Sequence, residues 1–251
     1  STLMRSSAAS DVYKRQIVYC STRRTVEEVD ALLNDKGIPS TRYHAGLPEE
    51  ERRQNQDDFV YDRKPIMVAT NAFGMGIDKS NVSFVIHYNM PKNLESYYQE
   101  AGRAGRDGSP AECILLYSPQ DVRTNRYLIE NSDPNPDLDF ETQEKLIQRE
   151  YDRLRKITYY CTTADCLRAF ILKYFGEPAE EYCGNCSSCA GGSVLVEATV
   201  EAQQVLSCVA RTGQRLGINM ICDILRGSEN ERVLQMNLQT PVSYTHLRAH
   251  E

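Results

Sequence analysis

Four cysteines carry the most specific chemistry in this 251-residue chain: Cys166, Cys183, Cys186 and Cys189, spaced C-x16-C-x2-C-x2-C. A CxxC pair sets two thiolates on one turn around a tetrahedral ion, and a distant fourth thiolate clips a helix to that knuckle, as in closed structural Zn2+ sites. Disulfides inside CGNCSSC would be strained. An iron–sulfur cluster is the rival, because CxxCxxC also opens the bacterial ferredoxin run, although the C-x3-C-P continuation of that run is missing here. Cys161 lies close by but outside the pattern. Cys20, Cys113, Cys208 and Cys222 fall in strand or helix patterns, where free buried thiols are the plain expectation.

A second group of residues suits phosphate. Glu95 to Gly108 reads ESYYQEAGRAGRDG, and taken as one helix it sets Gln99, Arg103 and Arg106 at i, i+4 and i+7, on one face. Gly102 and Gly105 inside such a helix would each cost about 1 kcal/mol against Ala. A solvated basic face has no use for them, whereas close approach to a planar anion does, and paired guanidiniums match phosphate oxygens. Asn71 to Lys79, NAFGMGIDK, is weaker. Gly74 and Gly76 admit close backbone approach, and Asp78 follows. The run is neither the GxGxxG fingerprint nor the GxxxxGK[ST] loop, and alone it reads equally well as a turn.

These groups need a scaffold, and the pattern around them supplies one. IVYC (from Ile17), STRY (Ser40 to Tyr43), IMVAT (Ile66 to Thr70), FVIHY (Phe84 to Tyr88) and ILLY (Ile114 to Tyr117) read as strands. Between them lie a helix capped at Ser21-Thr22 and closed by Gly37, and a polar helix from Glu49 to Val60. Strands alternating with helices imply an α/β fold, a mostly parallel sheet covered on both faces, with ligands at the strands' carboxyl ends. The pattern changes at Ser118-Pro119. Helices are expected near Val122 to Asn131, Glu141 to Tyr160 and Asp165 to Phe175, followed by the cysteines and a Gly191-Gly192 linker. Glu197 to Arg211 and Gly217 to Leu225 read as two helices of a last unit.

Composition narrows the classes. Hydrophobic residues make up 41% and charged residues 25%, which excludes collagen-like and disordered chains. The net charge of −6 gives no whole-chain argument for a polyanion partner, so nucleic-acid contact has to be local. No run is long enough to span a membrane and no secretory signal opens the chain, so a cytoplasmic protein without membrane contact is expected. Ser1 to Gln16 and Val242 to Glu251 lack periodicity and resemble translated cloning scars. Domains are therefore expected at 17–118, 119–192 and 193–241.

IVYCSTRRTVEEVDALL, YHAGL, IMVATNAFGMGIDKSNVSFVIHYNMPKN and SYYQEAGRAGRDGSPAECILLY together resemble the second RecA-like domain of superfamily 2 helicases, and more narrowly of the RecQ family. DCLRAFILKYFGEPAEEYCGNCSSC resembles the RecQ zinc-binding domain, and Ala202 to Ser228 the opening helices of its winged helix. QEAGRAGRDG differs from the HRIGRxGR of DEAD-box RNA helicases, which favours DNA.

The resemblance implies a helical four-cysteine Zn2+ subdomain and a partial winged helix after the RecA-like sheet. Gln99, Arg103 and Arg106 would form motif VI, with Arg106 the arginine finger and Arg103 a second phosphate contact. Gly74, Gly76 and Asp78 would form motif V, coupling nucleotide to DNA. Thr22 and Arg23 in motif IV, and His44 in YHAGL, would lie near the single strand, while Arg211, Arg215 and Arg226 are candidate contacts to the duplex backbone. An arginine finger works only against a lobe that holds ATP and Mg2+, and the 251 residues contain neither a GK[ST] loop nor a DExH-like acid pair. The expectation is a monomeric C-terminal part of a 3′-to-5′ ATP-dependent DNA helicase of recombination and repair, inactive alone. The competing expectation is a non-enzymatic zinc and winged-helix DNA-binding module.

Overall fold

A computed structural model describes residues 14–74, 79–132, 135–191 and 196–236. Strands β1 (Arg15–Tyr19), β2 (Ser40–Tyr43), β3 (Ile66–Ala69), β4 (Val82–His87) and β5 (Glu112–Leu115) form one parallel sheet in the order β2-β3-β1-β4-β5. β1 is central and carries the apolar run IVY. Ile17 and Tyr19 join Phe59, Met67, Phe73 and Val85 in one buried cluster, while Val18 and Cys20 join Val26, Ile66 and Val68 in another. Strand side chains alternate with period two, so these are the two faces of the sheet, and both are apolar because helices cover both. Helix α1 (Arg23–Asp35) supplies Val26 and α2 (Glu49–Val60) supplies Phe59. Each such side chain contributes roughly 1.5–3 kcal/mol on burial.

Two expectations need correction. β1 starts at Arg15, two residues before the expected strand, and Gln16 pairs with both Ile66 and Phe84. Helix α3 (Leu94–Ala101) ends before either arginine of the phosphate motif. Asn93 caps its start, accepting from the Ser96 N–H, and Gly102 caps its end. The chain then runs through tight turns: Arg103 N–H bonds Glu100 O at 3.2 Å and Ala104 N–H bonds Ala101 O at 3.1 Å. Gly105 adopts φ +67°, the left-handed region, and its N–H turns away to Val82 O at 2.9 Å. Arg103 and Arg106 therefore sit in turns, and the glycines stop a helix and redirect it.

Beyond β5, α4 (Pro119–Glu130) is capped by Ser118, and α5 (Phe140–Thr162) by Asp139, which accepts from the Thr142 N–H at 2.8 Å. Helices α6 (Leu167–Tyr174) and α7 (Ser187–Ala190) follow. Met90, Leu94 and Tyr97 share a core with Leu154, Ile157 and Tyr160 of α5, with Phe170 and Ile171 of α6 packed against it. Sheet lobe and helical region thus form one compact unit through Gly191. A separate unit follows. Its α8 (Thr199–Arg211), α9 (Ile218–Leu225) and α10 (Glu231–Gln235) enclose Cys208, Ile221, Ile224 and Val233. α10 has no counterpart in the sequence reading. Among the described residues, no helix is long and apolar enough to cross a membrane.

Candidate functional site

The carboxyl ends of β1, β3 and β4 converge, as a parallel sheet requires of a ligand site. Cys20, Ser21, Asn71, Asn89, Lys92 and Glu100 help line a cavity of about 170 Å³ there. Its rim is set by hydrogen bonds: Ser21 N–H to Asn89 Oδ1 at 3.1 Å, Asn89 Nδ2 to Asp121 Oδ1 at 3.1 Å, and Met90 N–H to Asp121 Oδ2 at 3.1 Å. His87, 1% exposed, sets Nε2 2.9 Å from Glu100 Oε2 and stacks on Tyr19, centroids 5.5 Å apart.

Arg103 lies against the loop after β3. Its guanidinium rests directly on Gly74, where a Cβ would come within 2.3 Å of Arg103 Cζ. Gly74 also has φ +120°, which L side chains rarely adopt. Only glycine serves at this position. Arg106, exposed three residues on, donates from Nε to Gly102 O at 3.3 Å. Gln99 is exposed in the last turn of α3. Gly76 and Asp78, the rest of the expected loop motif, lie outside the described residues. Lys79, which follows them, is buried and donates to Val60 O and to Asp62 Oδ1 at 2.7 Å. Arg15 and Lys79 together hold the Asp62 carboxyl at about 2, below its ordinary 3.8.

Along the same carboxyl edge of the sheet, after β1 and β2, sequence and structure agree less evenly. Thr22 caps α1, its Oγ1 accepting from the Thr25 N–H at 3.1 Å. The first turn of α1 carries Arg23 and Arg24 and no acid. Cations oppose the helix dipole there, so this end gains from an anionic ligand. Arg23 is exposed and lies across Gly46, whose added Cβ would be 3.1 Å from Arg23 Nη1. His44, expected near a single strand, is buried. It is 5% exposed, Nε2 is 2.7 Å from Glu27 Oε1, and Nδ1 accepts from the Gly46 N–H at 3.1 Å. Both ring nitrogens are engaged inside the protein, so the imidazole shapes the loop under Arg23.

The four cysteine sulfurs all lie within 4.8 Å of one another, and among the described residues they form the one such cluster. A tetrahedral ion with Zn–S bonds of 2.3 Å requires S···S near about 3.8 Å. Cys186–Cys166 is 3.9 Å and Cys183–Cys189 is 4.0 Å. Asn185 N–H and Cys186 N–H point at Cys183 Sγ and lower that thiol, and Ala169 N–H points at Cys166 Sγ. Burial works to raise Cys186, but the N–H groups of Cys189 and Leu167 prevail and bring it to about 6. The donor set fits a closed structural Zn2+ site. Burial pushes Cys189 up to about 11, and Cys20 and Cys161, outside the cluster, up to about 12.

In the second unit Arg211 ends α8, Arg215 lies in the following loop and Arg226 caps the end of α9, all exposed. Helix carboxyl ends favour cations in any case. What the sequence reading missed is the polar set beneath the arginines, Tyr19, His87 and Glu100. Tyr19 and His87 hid inside apolar strand runs, and their place at strand carboxyl ends was the available signal.

Comparison with known proteins follows this geometry closely. A family model described as the helicase conserved C-terminal domain matches residues 3–108, one described as RecQ zinc-binding matches 119–190, and one described as the RQC domain matches 193–249. The chain is 45% identical over 219 residues to the ATP-dependent DNA helicase RecQ of Bacillus subtilis, covering 87% of this chain and 36% of that protein. It is 38% identical over 220 residues to the Pasteurella multocida protein of the same name, covering 88% and 33%. To the ATP-dependent DNA helicase hus2/rqh1 of Schizosaccharomyces pombe it is 37% identical over 239 residues, covering 93% and 17%. The chain thus spans about a third of the length of its bacterial relatives or less.

Proposed function

Because this chain belongs to the RecQ family, we propose that it works as the second motor lobe, structural zinc subdomain and opening of the DNA-binding domain of an ATP-dependent 3′-to-5′ DNA helicase. The observation that carries this reading is the placement of Arg103 and Arg106 in one turn after α3, one guanidinium seated on the Gly74 backbone and the other exposed beyond it. Two guanidiniums in one turn suit a triphosphate presented by a second lobe.

In this reading Arg106 reaches across to the transferring phosphoryl group and stabilises the charge that develops there, while Arg103 fixes a neighbouring phosphate. ATP and Mg2+ are held mainly by the other lobe. Arg23, at the cationic start of α1 and over the Gly46 loop, contacts the backbone of single-stranded DNA. Arg211, Arg215 and Arg226 serve the duplex in the same manner. Zn2+, when bound, supplies a crosslink between α6 and the CGNCSSC knuckle, and the four thiolates leave no open position for catalysis.

The test is Arg106→Ala in the full-length gene product. DNA-stimulated ATP hydrolysis falls about 10³-fold or more, the scale of a docked arginine finger, while DNA affinity stays near wild type. The isolated 251-residue chain shows no ATPase activity. Turnover by that chain alone, or full turnover in the variant, sinks the proposal.

A further inference from the structure

Tyr19 has no role in the reading above, yet it stands where the pieces of the site meet. It ends the central strand β1 and is 3% exposed. Its ring does ordinary core work, packing with Ile17, Phe59, Met67 and Phe73 and stacking on His87. Its hydroxyl does something else. It donates to Phe73 O at 3.3 Å, the carbonyl immediately before Gly74, and so stands beside the Arg103 guanidinium that covers Gly74.

Arg103 needs such a neighbour. Its guanidinium covers the Gly74 backbone so closely that no side chain fits beneath, and its Nε is buried without a hydrogen-bond partner. A desolvated guanidinium with an unpaired Nε–H is costly, and it stays in place only if other contacts over-determine its position. Those contacts are the Gly74 backbone below and the Tyr19 hydroxyl beside it. Because the same hydroxyl is tied to Phe73 O, one phenol joins β1, the loop after β3 and the turn after α3.

We propose that Tyr19 is a positioning residue for Arg103: its hydroxyl locks the guanidinium against Gly74, so that Arg103 meets phosphate already oriented. The inference rests on the reading of Arg103 as a phosphate contact. Pre-orientation matters because a misplacement of about 1 Å in a catalytic array can cost about 10²-fold. A phenol that merely fills the core would serve equally well as Phe, which separates the two roles.

Two measurements test this on Tyr19→Phe, which keeps the ring and removes only the oxygen. In the 251-residue chain, the Arg103 Nε–H resonance exchanges with water at least about tenfold faster than in wild type, while the backbone amide spectrum is retained; unchanged exchange overturns the positioning. In the full-length protein, kcat for DNA-stimulated ATP hydrolysis falls about tenfold, the loss of one polar contact to a charged group, with KM for ATP within about twofold. Combined with Arg103→Lys, Tyr19→Phe adds no further loss, because the lock then has nothing to hold. Full activity in Tyr19→Phe alongside a crippled Arg103→Ala overturns the positioning and leaves the phosphate reading standing. Full activity in Arg103→Ala overturns the phosphate reading itself, whatever the resonance shows.

Discussion

Replacing Gly74 with Ala probes the seat of Arg103 directly. The added methyl carbon would lie 2.3 Å from Arg103 Cζ and 2.4 Å from Nη2, and carbon contacts become comfortable only near about 3.5 Å. The guanidinium must retreat by roughly 1 Å, a shift worth about 10²-fold in turnover when the displaced group acts on the reacting phosphate. Ala at φ +120° also carries backbone strain of about 1–3 kcal/mol, which lowers Tm by roughly 2–12 °C in a chain of this size. Strain and displacement are separated by Gly37→Ala. Gly37 has φ +73° with nothing within 4 Å of an added Cβ, so that variant loses stability and keeps its kcat. The assay is DNA-stimulated ATP hydrolysis by the full-length protein, with thermal melts of the 251-residue chain beside it. Equal kcat losses in the two variants would refute the argument, because strain alone would then account for both.

Two further outcomes follow from the same geometry. Asp62, held at about 2 by Arg15 and Lys79, has a depressed folded-state value, so its contribution is present above the ordinary 3.8 and disappears as pH falls toward 2. With the side chain 38% exposed, screening leaves about 1 kcal/mol. Asp62→Asn therefore unfolds at lower urea than wild type at pH 6, and the gap narrows by pH 3; a gap that stays constant rejects the linkage. Cys186→Ser should lose the single zinc measured per wild-type chain, together with solubility, whereas Cys161→Ser keeps it. A brown, iron-containing wild-type protein would contradict the assignment.

The sheet was legible because its strands are apolar on both faces. IVYC and IMVAT leave no polar side to solvent, and only a strand buried between two helical layers tolerates that. The cysteine site was legible for a different reason, since ligand spacing is itself a geometric statement. The arginine motif was harder. Its i, i+4, i+7 spacing suggested a helix, but Gly102 caps α3 and Gly105 turns left-handed to bond Val82 O, a tertiary contact that no local pattern contains. The burial of His44 was equally hidden, because a histidine in a polar loop reads as exposed until Glu27, seventeen residues earlier, is brought 2.7 Å from it.

Sequence boundaries also divided what packing joins. A change of pattern at Ser118 separates a sheet lobe from a helical zinc region, yet the Tyr160 hydroxyl meets that of Tyr97 at 3.3 Å, and the Tyr174 hydroxyl donates to Glu95 Oε1 at 2.8 Å. Both bonds run from the helical region to α3, the helix whose end delivers Arg103. Cys166 caps α6, and α6 carries Phe170, Ile171 and Tyr174 into the shared core. The four-thiolate crosslink therefore fixes α6, α6 and α5 fix α3, and α3 fixes the turn that holds the arginines. A closed metal site with no catalytic position can in this way matter to phosphate chemistry, because the side chains between them form one continuous packed core.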